Sequence, residues 1–69
     1  MNKHFAILLM YDELLSGKEL IPQDCCAQCH FSMATFYRNI AFLRKYFKAE
    51  HGVELLFDKT DKHYRLAEK

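Results

Sequence analysis

Apolar residues recur along this chain first at helical spacings and then at every second position. Between His4 and Ser16, the residues Ile7, Leu8, Tyr11, Leu14 and Leu15 stand one, three and four apart. That spacing places them on one helical face, and Gly17 follows where a C-terminal cap belongs. Glu19-Leu20-Ile21 predicts an extended connector, because Pro22 disfavours helical geometry in the residue before it and itself suits the first position of a helix. A short second helix is expected over about Pro22–Cys29, broken by His30-Phe31, and Ser32 is placed to cap a third by accepting a backbone N–H. The third helix is the longest, about Met33–Glu50 with Gly52 beyond it. Its Phe36, Ile40, Leu43 and Phe47 form a single stripe that should face the core.

After Gly52 the period becomes two. Val53, Leu55 and Phe57 alternate, Asp58–Lys62 is a polar turn, and Tyr64 and Leu66 alternate back while His63 and Arg65 point away. The pattern predicts an α+β fold, three helices followed by a C-terminal β-hairpin, as one domain over residues 1–69.

Composition narrows the function. Sixty-nine residues leave room for one core, which excludes a two-domain enzyme, and 51% apolar with 28% charged residues excludes a disordered chain. No acid pairs with a His or Ser at a fixed spacing, and so short a chain encloses little, so neither an enzyme nor a small-molecule site is expected. The net charge of +1 is unevenly spread: residues 1–32 hold two bases and four acids (−2), whereas residues 33–69 hold eight bases and five acids (+3). An anionic partner therefore belongs to the second half.

Opposite the core stripe of the third helix lie Ala34, Arg38, Ala41 and Lys45, flanked by Tyr37 and Lys48, with no acid anywhere from Met33 to Ala49. Phe42 and Tyr46 fall roughly 80–120° off that stripe, and the first helix or the hairpin is expected to cover them. The apolar run Phe5–Met10 is too short for a signal peptide or a membrane span, and Asp12 and Glu13 interrupt it. A cytoplasmic protein without a membrane partner is the expectation. Three cysteines, two of them adjacent, read as reduced thiols.

Cys26-Ala27-Gln28-Cys29-His30 spells C-x-x-C-H, the attachment signature of a c-type haem. Haem attachment belongs outside the reducing cytoplasm, and no Met after Met33 offers a second axial ligand, although His51 or His63 could take that place. Zinc could use Cys25, Cys26, Cys29 and His30, but structural zinc takes two separated ligand pairs and the second exists only if His51 or His63 folds back. In the third reading the thiols are small hydrophobes, with Cys25 and Cys29 at i, i+4 facing the third helix. That reading, with no cofactor and no metal, is the one adopted.

Ser32-Met33-Ala34-Thr35-Phe36-Tyr37-Arg38-Asn39-Ile40-Ala41-Phe42-Leu43 resembles the recognition helix of bacterial winged helix-turn-helix repressors of the DeoR-like and WYL-regulator kind. Ser32, Thr35, Tyr37, Arg38, Ile40 and Leu43 fall on positions of that pattern. The likeness extends over nearly the whole chain, from a Leu-rich first helix ending in Leu15-Ser16-Gly17 to a hairpin closing with Tyr64-Arg65-Leu66. The resemblance implies a non-enzymatic regulator of transcription bound to double-stranded DNA, with a homodimer as the means of reading two half-sites.

It implies further that Ser32 and Thr35 bind phosphate at the helix N-terminus and that Met33 and Ala34 touch thymine methyls. Tyr37 and Arg38 would reach phosphate or base edges, Lys45 would face phosphate, and the wing's Lys59 and Lys62 would lie on the DNA backbone or in the minor groove. It also makes Cys25, Cys26 and Cys29 packing residues, and puts His30 where the family has the glycine of the turn, a site that calls for positive φ. Asn39 replaces the usual Asp. Met33 and Ala34 replace residues that are often basic, which leaves the positive charge to Arg38, Arg44, Lys45, Lys48, Lys59, Lys62 and Arg65.

Overall fold

Each of the three helices ends at a residue that enters the left-handed region, and these three stops set the architecture. A computed structural model describes residues 3–67, with α1 at Lys3–Leu15, α2 at Pro22–Cys29, α3 at Met33–His51, β1 at Leu55–Asp58 and β2 at His63–Leu66. Gly17 (φ 82°) donates its N–H to the carbonyl of Leu14, and Lys18 donates to Glu13, closing α1. His30 ends α2 at φ 57°, ψ 44°, in the left-handed conformation expected at the turn, and Gly52 ends α3 at φ 64°. At the other end of α3, Ser32 is extended and its Oγ accepts the Thr35 N–H at 3.2 Å.

Phe36, Ile40, Leu43 and Phe47 form the buried stripe of α3, as their spacing predicts, and close on Met10 and Leu14 of α1, Leu20, Cys25, Leu55 and Tyr64. Tyr11 stacks on Phe47 with ring centroids 5.4 Å apart, and Phe36 meets Tyr64 at 5.7 Å. The phase of α1 differs from the prediction. Ala6, Met10 and Leu14 are buried, whereas Leu8 and Leu15 are exposed. Apolar residues fill every position from Phe5 to Met10, so their spacing alone does not single out a face; contact with α3 selects one.

The hairpin pairs Leu55 with Leu66, Leu56 with Arg65, Phe57 with Tyr64 and Asp58 with His63 in antiparallel register. The connector between α1 and α2 adds a third, single-residue rung, a bridge between Leu20 and Tyr64. Two sequence expectations fail here. His63, expected to point away, is only 4% exposed, because the connector crosses that side of β2 and brings Glu19 Oε2 to 3.4 Å from His63 Nδ1. Phe57, expected to face the core, is 43% exposed; it lies against its cross-strand partner Tyr64 at 4.9 Å.

Phe42 and Tyr46 are the third correction. Phe42 stands 66% exposed, and Tyr46, which meets Tyr11 of α1 edge-on at 5.7 Å, is still 38% exposed, so α1 covers the pair only in part. No helix among the described residues is long and apolar enough to cross a membrane.

Candidate nucleic-acid interface

The solvent side of α3, from its first turn to Lys45, carries most of the residues singled out for DNA. Ala34, Tyr37, Arg38, Ala41 and Lys45 are all exposed, on the side away from the buried stripe. At the N-terminus the Ser32 and Thr35 hydroxyls lie 3.2 Å apart, and the Ser32 oxygen is already engaged by the Thr35 N–H. One hydroxyl proton of the pair remains to be donated outward, beside the unpaired N–H groups of the first turn. Met33 sits on the flank, where its Sδ accepts the Cys26 thiol at 3.4 Å; it is part of the α2–α3 turn as much as of the open face.

The hairpin lies along this part of α3. Tyr64 packs on Phe36, and burial, with the nearby Tyr37 phenol second, raises the Tyr64 pKa above its ordinary value. Exposed Phe57 also packs on Tyr64, its cross-strand partner, while exposed Tyr37 meets Phe36 edge-on at 5.5 Å.

Two of the second half's cations are committed to the fold. Arg44 Nε donates to the Leu55 carbonyl at 3.4 Å, tying α3 to β1, and Lys48 pairs with Glu54 at 3.2 Å in the open. Lys59 and Lys62 are exposed at the hairpin tip, Lys62 with φ 55°, but they alternate with Asp58 and Asp61. Asp58 Oδ1 accepts the N–H groups of Thr60 at 2.8 Å and Asp61 at 3.3 Å, and these bonds, Asp61 first, hold its carboxyl below the usual range. The tip is therefore a self-bonded turn with balanced charge, and among the described residues of α3 Arg38 and Lys45 are exposed with no acid in ion-pair contact.

Among the described residues, one set of three potential metal ligands gathers within 4.8 Å, Asp58, Asp61 and His63, and the cysteines are not part of it. Cys25 and Cys29 are buried and line a small crevice with Leu9, Met10 and Glu13 of α1, and Cys25 also joins the core cluster of Phe36 and Ile40 on α3. Burial is the main cause that pushes the Cys25 thiol up to about 11, and it raises Cys29 as well. Cys26 is half-buried, against Met33. The C-x-x-C-H letters thus fall on one outer and one inner thiol, and a haem bonded to both would need Cys29 drawn out of the core. No family model, curated protein or solved structure matches the chain.

Proposed function

We propose that this chain is a winged helix-turn-helix module that binds double-stranded DNA and regulates transcription in the cytoplasm, catalysing no reaction. In this reading α2 and α3 are the helix-turn-helix, and the hairpin with its Leu20 rung is the wing. The observation that carries it is the open, acid-free face of α3, with Arg38 and Lys45 unopposed and the hairpin packed alongside. Ala34 and Met33 would meet base edges, Tyr37, Arg38 and Lys45 phosphates, the Ser32–Thr35 pair a phosphate at the helix N-terminus, and Lys59 and Lys62 the backbone beside the groove.

The test is anisotropy of a labelled duplex titrated with the protein over a series of salt concentrations. Binding should weaken linearly in log salt, by about 0.9 per phosphate neutralised. Binding that is absent at low salt, or indifferent to salt, retires the reading in favour of a second one. In that alternative the same fold is a protein-interaction module without DNA, and the observation favouring it is the exposure of Phe42 and, in part, of Tyr46.

A further inference from the structure

The hairpin tip and the α1–α2 connector close around one imidazole. His63 opens β2 and is 4% exposed, and among the described residues its ring meets one polar group within ion-pair reach, Glu19 Oε2 at 3.4 Å from Nδ1. The other nitrogen, Nε2, has no protein partner among the described residues. The antiparallel register sets Asp58 directly opposite His63, which puts both side chains on one face of the hairpin. Asp61, in the turn between them, completes a set of three ligand atoms within 4.8 Å of one another. Two aspartates on a surface turn make no site by themselves; the buried imidazole beside them does, because it adds a borderline nitrogen donor whose position the fold already fixes.

We propose that Asp58, Asp61 and His63 bind one divalent first-row transition-metal ion, with Glu19 holding the imidazole from behind. The donor set selects the class of ion, since one imidazole with two carboxylates suits zinc, cobalt or nickel, whereas calcium and magnesium take oxygen ligands. Distance permits it. Two ligands of one zinc ion stand about 3.3–4.2 Å apart, given bonds of about 2.0–2.1 Å, so the aspartates must draw in by about 1 Å. Asp61 is exposed and Asp58 half-buried on the surface turn, and both have room to do so.

Two further features prepare the ligands. The N–H groups of Asp61 and Thr60 hold the Asp58 carboxyl below its usual range, so it is present as the anion a metal requires, and both bond to Oδ1, which leaves Oδ2 for the ion. Glu19 stands where a carboxylate engages one nitrogen of a metal-bound imidazole, fixing the tautomer and strengthening the other nitrogen as a ligand. Nε2 is then the nitrogen given to the ion. The site joins three segments, for Asp58 belongs to β1, His63 to β2 and Glu19 to the connector whose Leu20 bonds Tyr64. It uses none of the cysteines and does not rest on DNA binding.

Titration of the chelator-treated full chain with Co²⁺, followed by visible absorption and calorimetry, tests it. One ion per chain should bind with a micromolar Kd, give cobalt's ligand-field bands without a thiolate-to-cobalt band, and raise the melting temperature by mass action. His63→Gln, Asp61→Asn and Glu19→Gln should each raise that Kd by roughly 10-fold or more. Asp61→Asn and Glu19→Gln, both at exposed side chains, decide the matter should His63→Gln fail to fold. A chain that takes up no Co²⁺ at millimolar concentration, a spectrum that carries a thiolate band, or an affinity that any of these substitutions leaves unchanged overturns the proposal.

Discussion

Leu20 and Tyr64 exchange two backbone hydrogen bonds of 2.8 Å, each N–H donating to the other's carbonyl, across a sequence gap that spans α2, α3 and β1. The exchange makes β2 an inner strand, closes one face of the hairpin over His63, and fixes the connector that aims α2 at α3.

These two amide protons should be among the slowest to exchange outside the helices, because their release requires the connector to leave the hairpin. Leu20 is also 1% exposed, so Leu20→Ala should destabilise the chain by about 2–5 kcal/mol. Hydrogen exchange followed by NMR checks both, and fast exchange at Tyr64 in the parent would mean that the rung is not formed.

At the centre of the core, Phe36 and Ile40 are 0% and 3% exposed, and truncating either to Ala should cost about 2–5 kcal/mol through lost burial and the cavity left behind. Arg38 and Lys45, on the same helix but in solvent, should change the melting temperature little when replaced by Ala. Thermal unfolding of the four variants side by side separates the two faces of α3.

The parts of this fold that repeat were legible in the sequence, and the parts that depend on another element were not. Phe36, Ile40, Leu43 and Phe47 recur with one period over a long helix, so their common face can be read from the spacing. Ser32 and Gly52 announce the ends of that helix by their own chemistry, and His30 stands at the turn where positive φ is required. In α1 consecutive apolar residues blur the phase, and only contact with α3 decides that Met10 is inside and Leu8 outside. His63 and Phe57 exchange their expected environments, His63 because a connector from far earlier in the chain lies beside it, a contact no alternating pattern within the hairpin can announce. On the candidate site, the exposure of Ala34, Arg38 and Lys45 was set by helical phase, while the withdrawal of Arg44 and Lys48 into contacts with Leu55 and Glu54 depended on where β1 begins.

The buried thiols set a prediction for alkaline pH. Cys25, whose ordinary value is 9.0, has its folded pKa raised to about 11, chiefly by burial. The folded state therefore holds this proton more tightly than the unfolded chain, and the associated stability is fully present below pH 9 and lost as pH rises towards 11. Urea midpoints measured across that interval should fall with pH, and Cys25→Ala should flatten the fall. Cys26, half-exposed, should react with iodoacetamide well before Cys25 or Cys29, as mass spectrometry of the peptides would show. An equal rate at all three thiols would contradict the packing described for α2.

Arg38 and Ala34 divide the proposed work of α3 between affinity and choice. Arg38 is exposed and has no acid within its own helix face, so in the DNA reading its charge neutralises a phosphate that any duplex presents. Arg38→Ala should then weaken binding to every sequence and lower the slope of log affinity against log salt by about one. Ala34 lies one turn earlier, carries no charge, and can reach only the base edges; Ala34→Gln should alter which duplexes are preferred and leave the slope where it was. Both measurements are made on protein whose helicity and melting temperature match the parent, which isolates the interface from the fold. An Arg38→Ala protein that binds each duplex as tightly as the parent, with the same salt slope, would show that the cationic face of α3 does not meet DNA.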